Sequence, residues 1–218
     1  MYYRLVRWIV TLLARILVHL EIVGNENVPQ EGACIIAPNH LSWFDSPLLL
    51  VAVSRRITVL AADKYRHHPI FGPFLASMGA IWIRRGEVDR KALRRALEVL
   101  RAGGCLGMAP EGTRSKTGTL QRGKTGAVYL ASRSGAVLVP VAITGTEKIG
   151  NALKHFRRGQ ARIEIGKPFT LPFSERLHGY QLEEFTDMLM RRLAAMLPPE
   201  YRGVYADVTT SLETESAP

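Results

Sequence analysis

The stretch Ala33-Cys34-Ile35-Ile36-Ala37-Pro38-Asn39-His40-Leu41-Ser42-Trp43-Phe44-Asp45-Ser46-Pro47-Leu48-Leu49-Leu50-Val51-Ala52-Val53 decides how the chain folds. Residues 33–37 are small or apolar and read as a short buried strand. Pro38 ends it, because proline has no N–H to continue a ladder. Residues 46–53 carry no charge and read as a helix. Asp-Ser-Pro suits its start, with Asp45 as the cap and a proline in the first turn. Strand, polar loop and helix in this order make one unit of an α/β fold, where ligand sites collect in loops at strand C-terminal ends.

The same alternation extends in both directions. Residues 57–61 predict a strand. Residues 67–83 contain no formal charge, but Pro69, Gly72, Pro73 and Gly79 forbid a regular spanning helix. That segment reads as irregular buried or membrane-facing structure ending in a strand over 80–83. Ala92, Leu93, Ala96, Leu97 and Leu100 recur at helical spacing, and Gly103 and Gly104 stop that helix. A strand over 105–109, a loop over 110–123, a helix over 124–133 and strands over 137–143 and 162–165 follow. A helix over 181–197 closes the series, with Leu182, Phe185, Leu189, Leu193 and Met196 on one face. The reading is a single α/β domain over 23–202, a mostly parallel or mixed sheet flanked by helices. Residues 203–218 are polar and acidic and read as a disordered tail.

Residues 1–22 stand apart. Arg4, Arg7 and Arg15 interrupt them, so they do not make a simple span, which needs about 18 apolar residues. At 100° per residue Arg4, Arg7, Thr11 and Arg15 form one narrow stripe, while Leu5, Trp8, Ile9, Leu12, Leu13, Ile16, Leu17 and Leu20 cover the remainder. That pattern fits an amphipathic helix lying in a membrane interface, with arginines toward lipid phosphates; a helix packed on the rest of the chain is the alternative. No small-residue cleavage site follows, as a signal peptide would require.

Composition adds direction. The 218 residues are 47% hydrophobic and 22% charged, which excludes a disordered polyelectrolyte and a multi-span membrane protein. Lys plus Arg exceed Asp plus Glu by 29 to 19, a net charge of +10, so an anionic partner is expected. Aromatic residues are few and not interleaved with the basic clusters, which argues against nucleic acid. Cys34 and Cys105 lie in apolar runs without metal-ligand spacing, pointing to a reducing compartment and no structural zinc.

Two loops carry candidate chemistry. In 39–45 a neutral His40 imidazole can accept a proton from a hydroxyl, and Asp45 can fix its tautomer, as in a catalytic triad. The other reading of Asp45 is the helix cap. Ser42 lacks the Gly-x-Ser-x-Gly setting of a hydrolase nucleophile and fits a turn-supporting role. In 110–115, directly after a predicted strand, Gly112 permits close backbone approach, Arg114 offers a planar fork, and Thr113 and Ser115 supply hydroxyls. With Lys116, Arg122 and Lys124 behind it, this loop reads as an anion cradle or as a solvated basic loop; it is not a P-loop. Arg84 and Arg85 end a strand and can bring further guanidinium groups to the same mouth.

Taken in order, Asn39-His40-x4-Asp45, the block from Lys64 through Pro69-Ile70-Phe71-Gly72 to Gly79-Ala80-Ile81-Trp82-Ile83-Arg84-Arg85, Pro110-Glu111-Gly112-Thr113-Arg114-Ser115, and Val139-Pro140-Val141-Ala142-Ile143 resemble the four motifs of the glycerolipid acyltransferases, nearest to the 1-acylglycerol-3-phosphate branch. The resemblance covers about residues 20–170. It implies direct acyl transfer: His40 as general base on the acceptor's free hydroxyl, Asp45 orienting it, and acyl-CoA or acyl carrier protein as donor co-substrate. It implies acceptor phosphate binding by Arg85, Glu111, Gly112, Thr113, Arg114 and Lys124, with Asn39, Ser42, Arg84 and Ser115 in support. No metal or redox cofactor is implied, because the thioester is already activated. A peripheral or monotopic position on the cytoplasmic face of a membrane, with a lysophospholipid acceptor, completes the expectation. Two positions depart from the usual pattern: Arg84, where an acidic residue is common, and Gly123, where an aromatic is frequent before the lysine. The competing readings are another lysophospholipid or aminolipid as acceptor, and a non-catalytic basic membrane-binding protein.

Overall fold

The computed structural model describes residues 2–84, 89–172 and 177–208. In chain order the elements are α1 (Tyr2–Leu17), β1 (Val18–Val23), β2 (Cys34–Pro38), α2 (Asp45–Ala52), β3 (Ile57–Ala62), α3 (Phe71–Ser77), β4 (Ile81–Ile83), α4 (Arg90–Arg101), β5 (Cys105–Gly107), α5 (Gly126–Ser134), β6 (Val137–Thr144), α6 (Thr146–Lys154), β7 (Gly159–Ile165) and α7 (Gly179–Met196). The strands form one seven-stranded mixed sheet in the order β1-β7-β6-β2-β5-β3-β4. From β6 to β4 all neighbours run parallel, whereas β7 pairs antiparallel with β6 and parallel with β1.

Strand alternation sends side chains to two faces. Cys34 and Ile36 of β2 join a core with α1, α2, α3 and α6, while Ile35 and Ala37 join a second core with α4, α5 and α7. Cys34 and Cys105 are free, buried and opposite each other in the β2–β5 register. The central strands, buried on both sides, are continuous apolar runs for this reason.

Four expectations change. The N-terminal helix, read to residue 22, ends at Leu17, because Val18–Val23 becomes a strand against β7, with Val18 opposite Gly159 and Val23 opposite Glu164. Its arginine stripe also divides: Arg7 donates to the Val53 and Ser54 carbonyls beyond α2, at 2.9 and 3.1 Å, so Arg7 ties the helix to the fold instead of facing outward. Arg4 and Arg15 remain exposed. Leu5, Trp8, Leu12, Leu13 and Ile16 are exposed beside them, and Ala14 is the buried contact. In the uncharged stretch 67–83, α3 forms despite Pro73, which sits in the first helical turn where no N–H is required. The tail begins later than residue 203. Tyr205 and Val208 are buried, Arg202 donates to the carbonyls of Leu197 and Val208, and Val204 N–H reaches Leu120 O at 3.3 Å. Residues 203–208 thus buttress the 110–123 loop, and 209–218 lie outside the described residues.

Candidate active site

β2, β5 and β6 end on the same side of the sheet, and the loops leaving them converge. Asn39 is buried at the end of β2. Its amide nitrogen donates to Ile143 O at 2.8 Å and its oxygen accepts from Ile143 N at 2.7 Å, a clamp between β2 and β6. Asn39 therefore supports the site by fixing where the next residue emerges.

That residue is His40. Its Nδ1 lies 2.6 Å from Asp45 Oδ2, and its side chain is about one-quarter exposed, against 4% for Asp45. A carboxylate so deeply buried is costly unless its oxygens are engaged. Here Oδ2 also accepts from Leu41 N at 2.7 Å and Ser42 N at 2.8 Å, and Oδ1 accepts from the Thr146 hydroxyl. Asp45 thus does not cap α2. It occupies the first turn and folds back over its own loop, and its contact with Nδ1 selects the tautomer that leaves Nε2 unprotonated. Ser42 Oγ accepts from Phe44 N at 3.1 Å, a turn contact, as its sequence setting suggested.

The 110–115 loop holds His40 by its main chain. Glu111 Oε1 accepts from His40 N at 3.0 Å, and Oε2 accepts from Gln121 N at 3.0 Å. Ser115 N donates to His40 O at 2.8 Å, while Ser115 Oγ donates to Thr119 O at 2.7 Å. Burial pushes the Glu111 carboxyl above the usual range, against the opposing pull of its N–H donors. Glu111 is 2% exposed with both oxygens occupied, so the expected contact with an acceptor phosphate gives way to a supporting one. Adding its negative charge to an anion site would also be unfavourable.

The cationic members stand farther out. Arg114 lies over the Trp43 ring, 4.6 Å from its centroid, and Trp43 stacks on Phe71 at 4.6 Å and meets Tyr65 edge-on at 4.8 Å. Gly112 has φ 69°, and a Cβ there would come within 2.9 Å of Lys124 Cδ; the glycine admits both the left-handed turn and the lysine stem. Arg84 is exposed and lines a separate cleft with Arg66, Trp82, Asp89 and Arg90 at the start of α4. Arg85 lies outside the described residues.

Beside His40 is a cavity of about 110 Å³. His40, Asp45, Gly112 and Thr113 contribute to it, and Leu49, Val59, Leu60, Met78 and Ile83 provide an apolar wall. A proton-accepting imidazole at the mouth of a greasy cavity, with cations outside, suits base-assisted chemistry on an amphiphile carrying an anionic head.

Sequence reasoning missed Thr146 and Gln121. Thr146 is fully buried in the first turn of α6, delivered by Gly145 at φ 81°, where any Cβ would lie 2.4 Å from Gln160 O. A Gly-Thr pair closing a predicted strand was the available signal. Gly123, a departure from the resemblance, also finds its reason: a Cβ there would meet Met190 and Thr186 of α7 within 2.7 Å.

The acyltransferase family model matches residues 19–144, more than half of the chain, and the protein belongs to that family. Among curated relatives, the chain is 28% identical over 131 residues to a 1-acyl-sn-glycerol-3-phosphate acyltransferase of Borreliella burgdorferi, covering 59% of this chain and 52% of that one. It is 32% identical over 144 residues to a lyso-ornithine lipid O-acyltransferase of Pseudomonas aeruginosa, covering 65% and 54%. The chain thus spans about half the length of these two relatives. The fold is that of the 1-acyl-sn-glycerophosphate acyltransferase PlsC from Thermotoga maritima, with a TM-score of 0.67, 21% identity, and coverage of 99% of this chain and 81% of that one.

Proposed function

We propose that the protein transfers a fatty acyl group from a thioester, acyl-CoA or acyl carrier protein, to the free hydroxyl of 1-acylglycerol-3-phosphate, giving phosphatidate. The observation that carries this reading is the 2.6 Å contact between His40 Nδ1 and Asp45 Oδ2 at the rim of an apolar cavity. Nε2 takes the proton of the acceptor hydroxyl as its oxygen attacks the thioester carbonyl. Asp45 stabilises the resulting imidazolium. Collapse of the tetrahedral intermediate expels the thiolate, which takes that proton from Nε2 and restores the neutral ring. No metal or redox cofactor enters, since the thioester supplies the activated carbonyl.

Arg114, fixed over Trp43, with Thr113 and Lys124, faces the acceptor's phosphate in this reading. The wall of Leu49, Val59, Leu60 and Met78 suits the first methylenes of an acyl chain next to its carbonyl, each buried methylene contributing about 0.8 kcal/mol. Among the described residues no helix is long and apolar enough to cross a membrane. The exposed apolar side of α1 supports peripheral or monotopic attachment to a membrane surface.

The test is transfer from an acyl thioester to 1-acylglycerol-3-phosphate by wild type and His40→Ala. A loss of about 100-fold or more is expected for the variant, and undiminished transfer would reject the base. The similarity to a lyso-ornithine lipid enzyme motivates a second acceptor class, an aminolipid. Acceptors with and without a phosphomonoester separate the two: reaction of the aminolipid alone would remove the phosphate role from Arg114 and Lys124. Trp8→Asp combined with Leu12→Asp should release the protein from anionic vesicles, and retention would count against the α1 contact.

A further inference from the structure

His40 and Asp45 are held from two sides, and Tyr201 is joined to both supports. On one side Thr146, in the first turn of α6, donates to Asp45 Oδ1. On the other, Glu111 accepts from His40 N through Oε1 at 3.0 Å, and from Gln121 N and Nε2 through Oε2 at 3.0 and 3.3 Å. Tyr201 ends the short helical turn Pro199–Tyr201 that follows α7. Its hydroxyl donates to Glu147 Oε1 at 2.7 Å, and Glu147 directly follows Thr146. Its carbonyl accepts from Leu120 N at 2.9 Å, and Leu120 directly precedes Gln121. With Val204 N donating to Leu120 O at 3.3 Å, both main-chain groups of Leu120 are fixed by the 201–204 segment.

We propose that Tyr201 is a positioning residue for the His40 and Asp45 pair: by joining α6 to the 110–123 loop, it sets where the Thr146 hydroxyl meets Asp45 and so where His40 Nε2 stands. This inference rests on the acyltransferase reading above and deepens it by adding a residue on which the geometry of the base depends.

Three observations favour that role over core packing alone. A ring kept only for packing needs no charged partner, yet this phenol, on a residue 8% exposed, makes a charge-assisted bond to a carboxylate 54 positions away. Burial first, and then the Glu147 carboxylate, push the phenol up to about 12, so it stays a donor throughout the range in which a histidine acts as a base. The rival for the same oxygen, Lys148 Nζ at 3.8 Å, has a side chain about three-quarters exposed and is a weak partner. Second, Leu41, Leu120 and Tyr201 belong to one buried cluster with Met190 and Leu193 of α7, and Leu41 also donates its N–H to Asp45 Oδ2. Packing and hydrogen bonding by Tyr201 therefore act on the same loops. Third, the bond from Thr146 to Asp45 weakens steeply with misalignment, so a tether on the adjoining residue bears directly on it. Thr146, Glu147 and Tyr201 all lie outside residues 19–144, so this bracing comes from the C-terminal part of the fold and not from the family motifs.

The experiment compares acyl transfer by the full chain with that of Tyr201→Phe, Thr146→Val and the double variant, with the denaturant unfolding midpoint of each. Phenylalanine keeps the ring and the main-chain bond to Leu120 and deletes only the hydroxyl. For Tyr201→Phe, kcat should fall by about three- to tenfold with KM for both substrates within about twofold. The double variant should match Thr146→Val within about twofold, because both changes act on one contact. Glu147→Ala should reproduce the Tyr201→Phe loss. NMR titration of the His40 ring, identified by its absence from His40→Ala, reads the site without turnover. Once Thr146 is loosened, Asp45 loses a donor and holds the imidazolium more firmly, so the His40 midpoint should rise in Tyr201→Phe. The carboxylates bonded to His40, those of Asp45 and Glu111, are present in both proteins. A lowered unfolding midpoint with kcat and the His40 titration unchanged, or fully additive losses in the double variant, would overturn the proposal. A shifted His40 titration together with no acyl transfer by the wild type would instead reject the acyltransferase reading and leave the positioning role standing.

Discussion

Loop 39–45 and the exposed side of helix α4 treat polarity in opposite ways. In the loop each charged or amide side chain has an internal partner: Asp45 engages His40 Nδ1, two backbone N–H groups and Thr146, and Asn39 closes a two-bond clamp on Ile143. In α4 five exposed cations have no ion-pair partner among the described residues. The loop must hold one nitrogen at one place, which requires a rigid, fully bonded surround. A solvent-facing helix surface has no such requirement, since its charges are hydrated where they stand.

The largest expected effect breaks the loop's side of this contrast. Asp45→Asn retains the shape but presents an amide to Nδ1, misassigning the tautomer, so kcat should fall by about 10³- to 10⁴-fold with little change in KM, read from steady-state kinetics. Thr146→Val comes next. It deletes the bond to Asp45 Oδ1 and leaves a buried carboxylate oxygen without it, so unfolding free energy should drop by about 1.5–3 kcal/mol and kcat should fall with it. Thr146→Ser should recover most of both, whereas an effect on stability alone would make Thr146 purely structural.

A smaller effect concerns Glu111, whose carboxyl is raised by burial. Between the ordinary carboxylate value and that raised value, the folded chain holds a proton that the unfolded chain has released. Rising pH therefore lowers stability across that window and has no further effect above it. Denaturant unfolding at stepped pH should show this slope in wild type and lose it in Glu111→Gln. The smallest effect sharpens the α4 side. Lys91→Glu places an anion near the helix N-terminus and removes a like-charge pair, so it should raise stability by about a few tenths of a kcal/mol, read from the denaturant unfolding midpoint. Reduced stability would mean that the cations serve the fold after all.

Much of this organisation was legible in one dimension. Residues 33–53 announce strand, loop and helix because a central parallel strand is buried on both faces and therefore reads as a continuous apolar run. The same rule exposed 137–143, and helical spacing exposed α4 and α7. His40 and Asp45 are five positions apart, close enough for a single loop to join them, so their pairing could be anticipated. Residues 18–22 were misread because a short, sparsely buried edge strand that follows a helix keeps little of the alternation that identifies a half-buried strand. α6 was overlooked because Gly145 and the polar start of the helix resemble a loop until the chain is seen to turn there.

By itself the sequence determined the α/β class, the pair His40 and Asp45, and the excess of positive charge, all properties of local pattern and composition. Only the tertiary structure decided what each polar group is for. Thr146 reaches Asp45 across 101 positions, Glu111 reaches the His40 amide across 71, and Arg7 turns from a lipid-facing residue into a tether for the end of α2. A buried charge must find whichever donors the fold brings within hydrogen-bond distance, and some of those donors come from segments that are neighbours in space but distant in the chain.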